Sequence, residues 1–463
     1  MSRGAGGVVG AAERARSRAL EESKPRLAIY QWAAFGMILA IWAHFWVPSL
    51  INAVLIGRQY AGLGDVVVSP LAGLAAKALQ YLSIGLILVA ALDAAVARAK
   101  VDLGRILLAI VPWASIYVVD VFTNGGVPWQ AWMYPPAMAI LSIANLPAER
   151  VYTLIRNMTL FIAGLSLMLA LLPGQPGMMP MSFHSGGEKA IIGSSILAGP
   201  YGHSNQLGLN MALGLPFVAW TTRGFGRVGA IGLVGLVLLW SASRTSILVA
   251  VAVLIITLVT LWAHRAASRV LVLWAAVAAF VAMVALPLIN DDPTAFTQRG
   301  MIWQQGLISF MESPLTGTAA NAFMEASDLS LRIGDIINTG HNVFVTVATI
   351  GGLIGIVGFV VALLTMLTSG ARRYAYDAVP LLVLMTILLL SVIEDPLRAL
   401  ILAPASAIIW PIISILFRRP DPVGQFSPDA LSRRATLTKT EKVGFTLICL
   451  VAGVALAAMA MQG

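Results

Sequence analysis

Long apolar runs alternate with short polar links along most of this 463-residue chain. A run of roughly 17–25 apolar residues is long enough to cross about 30 Å of hydrocarbon as a helix. The pattern therefore predicts an all-α polytopic membrane protein with about 12–13 transmembrane helices. The candidate segments are 27–50, 72–97, 105–123, 128–145, 153–172, 204–222, 228–242, 245–263, 269–289, 342–368, 378–394, 399–417 and 443–461.

Composition supports the same class. Hydrophobic residues make up 59% of the chain and charged residues 11%, whereas soluble domains carry about a quarter charged residues. The net charge of +9 does not indicate nucleic acid as a partner, because the basic residues occur in short clusters between apolar runs. That placement is typical of a protein whose partner is the lipid bilayer.

The basic clusters also predict an orientation. If the N-terminus is cytoplasmic and the chain crosses the membrane at each segment, most of the 30 Lys and Arg residues lie in the cytoplasm, which is the usual bias. We therefore predict a cytoplasmic basic N-terminus over 1–26 and a transmembrane core over 27–417. A cytoplasmic linker over 418–442 and an additional C-terminal transmembrane helix within 443–463 follow.

Two longer segments fall on the predicted extracytoplasmic side, 173–203 and 290–341. The second is the longest polar interruption of the chain and carries Arg299, Arg332 and His341 among several carboxylates. Cations, carboxylates and one imidazole within a single loop could together perform chemistry on a phosphorylated substrate. We interpret this loop as the candidate active site.

Two arginines on the predicted outer side are candidates for binding phosphate, because the guanidinium fork matches phosphate geometry. Arg244 lies between two apolar runs with almost no loop. Arg299 precedes apolar residues at helical spacing, which predicts an amphipathic helix on the outer face that starts at Arg299 and ends before Pro314. Alternatively, each arginine only extends its charge into the headgroup region or into solvent.

Two histidines are candidates for a general base. His341 precedes Asn342 at the start of an apolar run, and His203 precedes Ser204 and Asn205 at the start of another. An imidazole titrates near neutral pH and can accept a proton from a hydroxyl group. Both histidines could equally cap or pack against the helix that follows.

No metal site is expected. Cys449 is the only cysteine, the histidines are far apart, and the predicted outer loops contain no Asp-x-Asp pair;. Two pairs of adjacent carboxylates, Asp291–Asp292 and Glu394–Asp395, remain as an alternative site for a divalent ion or a base.

Three short segments carry recognisable motifs. Residues 241–248 contain a Ser-Arg motif at the start of a span, and residues 299–317 contain an arginine and a tryptophan followed by Pro-Leu-x-Gly. Residues 341–355 contain a His-Asn pair before a glycine-rich helix. Together these segments resemble the O-antigen ligase family, which also includes bacterial O-antigen and exopolysaccharide polymerases. An Asn-x-x-Gly element at 205–208 is also similar to one in the family.

The resemblance implies a metal-independent, inverting glycosyltransferase without a cofactor in the bacterial inner membrane, with its active site facing the periplasm. Undecaprenyl pyrophosphate would carry the donor glycan, and a hydroxyl of lipid A-core would be the acceptor. Arg244 and Arg299 would bind the pyrophosphate, and His341 would be the base. Further candidates for substrate binding are Arg332, Asn342, His203, Asn205 and Trp303.

Three other functions stay open. A polysaccharide polymerase would use the same chemistry with a growing glycan as acceptor. A transporter or flippase of lipid-linked sugars is less well supported, because such proteins commonly contain internal repeats and the sequence shows none;. An oligosaccharyltransferase that modifies protein would be expected to carry a soluble outer domain.

Overall fold

The computed structural model describes residues 27–58, 67–124, 132–179, 190–262, 265–318, 323, 339–398 and 402–418. In these residues the regular secondary structure consists of thirteen helices, and Met178 and Leu197 form an isolated β-bridge. The first seven helices are α1 (Ile29–Leu55), α2 (Pro70–Val96), α3 (Leu103–Asn124), α4 (Tyr134–Ala144), α5 (Ala148–Leu171), α6 (Ser204–Thr221) and α7 (Gly224–Ser241). The other six are α8 (Arg244–Trp262), α9 (Arg265–Ile289), α10 (Ala295–Glu312), α11 (Val343–Arg373), α12 (Val379–Ser391) and α13 (Ser406–Leu416).

The predicted fold class is confirmed: the chain is an all-α polytopic membrane protein. Each of the first twelve predicted apolar segments coincides with a helix, and α10 corresponds to the predicted amphipathic helix. Seven of the described helices are long and apolar enough to cross a membrane, by length and composition. Residues 1–26, 419–442 and 443–463 lie outside the described part of the chain, so the predicted termini and linker stay predictions.

Helix α12 is at the centre of the bundle. It is apolar on every side and almost all of its residues are buried, as expected of a helix that is surrounded by other helices. It contacts α6, α8, α9, α11 and α13. By contrast, α2 exposes Leu74, Tyr81 and Leu92 along its length, which suits a helix that faces lipid.

Short links between successive helices bring several helix ends together. Residues 222–223 connect α6 to α7, and residues 242–243 connect α7 to α8, so that α6 and α8 begin at the same end. The Asn342 amide, just before α11, donates to carbonyls of Met283 near the end of α9 and Val392 just after α12, each at 2.9 Å. We call the end of the bundle at which α6, α8 and α11 begin the outer end, and the opposite end the inner end.

The predicted orientation can be tested with single cysteines in a Cys449→Ser background. Asp291 is exposed after α9 at the outer end, and Lys100 is exposed after α2 at the inner end. A membrane-impermeant thiol reagent added to intact cells should label Asp291→Cys directly and Lys100→Cys only after the membrane is permeabilised. Labelling of both positions, or only of Lys100→Cys, in intact cells would contradict the orientation.

Two of the sequence motifs pack against each other at the outer end. Helix α11 is interrupted at Gly352, which has φ 56° and ψ −155°. The backbone after α10 takes up the freed hydrogen bonds, since the Leu353 N–H donates to the Pro314 carbonyl at 2.8 Å. Gly317 also has a positive φ, and a Cβ there would lie 2.5 Å from the Ile350 carbonyl carbon. The Pro-Leu-x-Gly segment therefore fits into the break, where only glycine leaves room.

Candidate active site

Arg299 lies at the point where α10 becomes a right-handed helix. The three preceding residues, Phe296 to Gln298, have φ between 54° and 67° and form a left-handed turn. For residues other than glycine this conformation is unfavourable by about 1–2 kcal/mol each, so the surrounding structure must impose it. Gly300 packs against the Asp292 carbonyl so closely that a Cβ would not fit. The predicted end of the helix before Pro314 is confirmed, and the regular right-handed part begins at Arg299 as predicted, although the helix as a whole spans Ala295–Glu312.

Arg299 forms an ion pair with Glu394, in the turn that follows α12. Arg299 Nη2 lies 2.6 Å from Glu394 Oε1, and Nη1 donates to the Ile393 carbonyl at 2.6 Å. The two side chains are only 12% and 10% exposed. A charge-assisted contact of this length, largely shielded from water, is among the stronger polar interactions in proteins. It connects α10 to the outer end of α12.

The other oxygen of Glu394 faces His341. His341 Nδ1 lies 3.5 Å from Glu394 Oε2. Among the described residues no atom meets hydrogen-bond geometry with this Nδ1. The His341 imidazole is 31% exposed, so among Arg299, Glu394 and His341 it is the side chain that a substrate reaches most easily. Glu394 thus bridges Arg299 and His341.

The Glu394 carboxyl is ionised at neutral pH. Burial raises its pKa, but the positive charge of Arg299 and the contact with His341 outweigh burial and lower the pKa to about 2. Opposite charges within a few ångströms favour the ionised form in this way. The site therefore contains a fixed negative charge between a guanidinium and an imidazole.

Asn342 holds His341 in place. Its side-chain oxygen accepts from the Val345 N–H at 3.0 Å and so caps α11, while its amide reaches the carbonyls of Met283 and Val392. The residue is fully buried, and all its side-chain hydrogen-bonding groups are occupied. His341 has a φ of 49°, a left-handed conformation that this cap helps to fix.

Asp395 anchors the segment before His341. Its Oδ2 accepts from the hydroxyls of Thr339 at 2.8 Å and Thr346 at 2.7 Å, and its Oδ1 accepts from the Arg398 N–H at 2.7 Å. Of the two adjacent carboxylates, Glu394 thus contacts Arg299 and His341, and Asp395 accepts from two hydroxyl groups. The described residues contain no group of three or more His, Cys, Asp or Glu that could hold a metal ion.

A second set of predicted site residues lies elsewhere at the outer end. Arg244 is exposed at the first position of α8. His203 caps α6, because its Nδ1 accepts from the Asn205 N–H at 3.0 Å. The first turns of α6 and α8 are in contact, since a Cβ on Gly208 would lie 2.6 Å from Ser243 Cβ. The structure thus brings the starts of α6 and α8 together, and it brings Arg299 and His341 together through Glu394.

Of two further residues predicted to bind substrate, the structure describes Trp303 but not Arg332. Trp303 is fully buried, and its ring centroid lies 5.2 Å from that of Phe296, so it packs α10 against its surroundings. Arg332 lies outside the described residues, as do positions 180–189 and most of 319–338 in the two predicted outer loops.

Glu394 is predicted from the sequence only as an alternative metal ligand or base, and its position between Arg299 and His341 is seen only in the structure. The signal was present in the sequence: Glu394-Asp395-Pro396 places two adjacent carboxylates at the end of an apolar run. Charged residues within or at the end of a membrane-spanning run are energetically costly and usually functional. Only the fold shows which residues they meet.

Arg244, Arg299 and His341 all lie within one stretch that can be compared with known families. Residues 229–360 match the family model described as O-antigen ligase. The resemblance is confirmed over this stretch, which runs from α7 into α11, and Glu394 lies beyond it. No curated protein sequence matches the chain. The family match supports a membrane glycosyltransferase of the ligase or polymerase type.

Proposed function

We propose that this protein transfers a glycan from undecaprenyl pyrophosphate to a hydroxyl group of lipid A-core at the periplasmic face of the bacterial inner membrane. The observation that carries the proposal is the Glu394 carboxylate between the guanidinium of Arg299 and the imidazole of His341. A base and a cation beside one fixed carboxylate suit a reaction in which a hydroxyl loses a proton and a phosphate gains charge.

His341 acts as the general base. Its Nδ1 lies toward Glu394, so Nε2 is the nitrogen that accepts the proton from the acceptor hydroxyl, as in other carboxylate-oriented imidazoles. The hydroxyl oxygen forms a bond to the anomeric carbon while the bond from that carbon to the pyrophosphate oxygen breaks. Attack from the face opposite the leaving group inverts the configuration. The carboxylate stabilises the imidazolium that forms.

The two arginines stabilise the leaving pyrophosphate. A guanidinium has five N–H donors, and in the described part of the chain Arg299 uses two of them, on Glu394 and Ile393. Arg244 is exposed at the same end of the bundle. Fixed positive charges beside an oxygen that gains charge in the transition state are an effective means of lowering the barrier.

The direct test is transfer by the purified protein. The protein in detergent or nanodiscs is incubated with an undecaprenyl-pyrophosphate-linked glycan and, in separate reactions, with lipid A-core or with further lipid-linked glycan. Glycan on lipid A-core identifies a ligase, and longer lipid-linked glycan identifies a polymerase with the same chemistry. No product in either reaction, together with movement of intact donor across proteoliposomes, would overturn the proposal in favour of a transporter.

Transfer should not require a divalent cation. The guanidinium groups supply the charge that a metal supplies in other glycosyltransferases, so EDTA should leave the initial rate unchanged within about twofold. The measurement is the initial rate with EDTA and after later addition of Mg²⁺ or Mn²⁺. A rate that vanishes with EDTA and returns with either ion would redirect attention to Asp291, Asp292, Glu394 and Asp395.

A further inference from the structure

Three buried arginines meet at the inner end of the bundle, opposite the candidate active site. Arg105 lies in the first turn of α3, Arg373 ends α11, and Arg418 follows α13. They are 6%, 5% and 8% exposed, respectively. Burial together with the nearby charges of Arg105 and Arg373 lowers the pKa of Arg418 to about 9. We call these three residues the inner arginine cluster.

Part of the cluster caps helix ends. Arg105 donates to the Ser142 carbonyl at 3.0 Å and to the carbonyl and hydroxyl of Ser414 at 2.9 Å each. Arg418 donates to the Leu146 carbonyl at 2.9 Å, and Arg373 donates to the Arg418 carbonyl. Cations near the carbonyl ends of helices are favourable, so these contacts explain why arginines occur at the ends of α4 and α13.

Capping does not account for the remaining donors. The Nε atoms of all three arginines and Nη1 of Arg418 are buried and have no hydrogen-bond partner in the described part of the chain. A buried polar group without a partner is unfavourable, and more so if it is charged. Four such N–H-bearing atoms on three neighbouring cations are an unusual concentration.

The charge of the cluster is also not balanced. At this end the buried carboxylate of the described residues is Asp377, which accepts from the Tyr152 hydroxyl at 2.6 Å and the Val379 N–H at 3.3 Å. Burial raises the Asp377 pKa to about 6, despite these hydrogen bonds and the positive charge of Arg373. The exposed Asp102 also acts on Arg105, so in the described part of the chain two carboxylates, one of them with a raised pKa, lie near three guanidiniums. Uncompensated buried charge is unfavourable.

We propose that the inner arginine cluster binds a phosphate-bearing anion. A phosphate offers several charged oxygens, which match the guanidinium fork and would occupy the unpartnered N–H groups. Basic pockets between transmembrane helices on the cytoplasmic side are suited to anionic lipid headgroups, and a free phosphate or pyrophosphate presents the same chemistry. The site is distinct from the one at Arg299 and His341, since α11 spans the distance between them.

Native mass spectrometry of the purified full chain tests the proposal. The protein is delipidated, then titrated with phosphatidylglycerol, with phosphatidylcholine, or with inorganic pyrophosphate. The same titrations are made on Arg373→Gln and on the matched control Arg372→Gln, which removes the same charge from the exposed neighbouring residue. We expect one anion bound per wild-type chain, at least tenfold weaker binding by Arg373→Gln, and unchanged binding by Arg372→Gln.

The outcomes separate the possible sources. Preferential binding of phosphatidylglycerol identifies a lipid headgroup, and saturable binding of pyrophosphate alone identifies a soluble anion. If neither binds the wild-type chain, or if both variants weaken binding equally, the cluster is no specific site and the proposal is wrong. Should Arg373→Gln fail to fold, Arg373→Lys retains the charge without the fork and is expected to bind several-fold more weakly. The wild-type titration decides the question in either case.

Discussion

The His341→Ala variant should fold and bind the lipid-linked donor, yet transfer glycan about 10²–10⁴-fold more slowly, the loss typical of a removed general base. The imidazole is partly exposed and contacts Glu394 at 3.5 Å, while the fold at this point depends on the buried Asn342 and Asp395. Its removal therefore leaves the surrounding hydrogen bonds intact. Initial transfer rates and donor binding, measured on the same preparation, separate the two effects.

A second histidine at the same end of the bundle provides the control. His203→Ala removes the imidazole that caps α6 at the same end of the bundle and should lower stability by about 1 kcal/mol with little change in rate. A stable His341→Ala protein with the wild-type rate would end this assignment and make His203 the base.

Local patterns were sufficient to predict most of the fold. Apolar runs place the helices because the bilayer requires every backbone group of a span to be satisfied within it, and a helix does so from local sequence alone. The start of regular α10 at Arg299 and its end before Pro314 were also predictable from local sequence, because apolar spacing and proline act over a few residues. Of the described residues in the predicted segment 399–417, residues 402–405 lie before α13, which begins at Ser406. Helix α4 begins at Tyr134, whose next residues are prolines suited to a first helical turn;.

Features that depend on distant parts of the chain could not be predicted. The glycine-rich run of α11 reads as an uninterrupted helix, and its break at Gly352 exists because the backbone of Pro314 occupies the gap. Glu394 is 95 positions from Arg299, so nothing in the local sequence indicates their pairing. The contacts of Asn342 are a further case: its amide reaches carbonyls 59 and 50 positions away while its side-chain oxygen caps α11. The local sequence indicates the cap but not the distant partners.

Arg299→Ala should lose both stability and activity, whereas Arg244→Ala should lose activity alone. The side chains of Arg299 and Glu394 are each about one-tenth exposed, so the removal of Arg299 leaves a buried carboxylate without its partner. Breaking a buried ion pair in this way costs about 3–5 kcal/mol of stability. Arg244 is exposed, so its removal should change the free energy of unfolding by less than about 0.5 kcal/mol. Thermal unfolding in detergent measures the difference, and the KM for the lipid-linked donor should rise in both variants. Lysine at either position should restore only part of the donor affinity, because a point charge cannot reproduce the bidentate fork.

The double variant Arg299→Met/Glu394→Leu separates the structural role of the pair from its chemical role. It removes both charges at once, and apolar side chains of similar volume often replace a buried ion pair without loss of stability. Its unfolding temperature should therefore return close to that of the wild type, while transfer stays lost because His341 has no carboxylate beside it and the pyrophosphate has lost a guanidinium. Recovery of transfer together with stability would mean that Arg299 and Glu394 serve only to hold α10 against α12. In that case Arg244 would be left as the cation that acts on the leaving group.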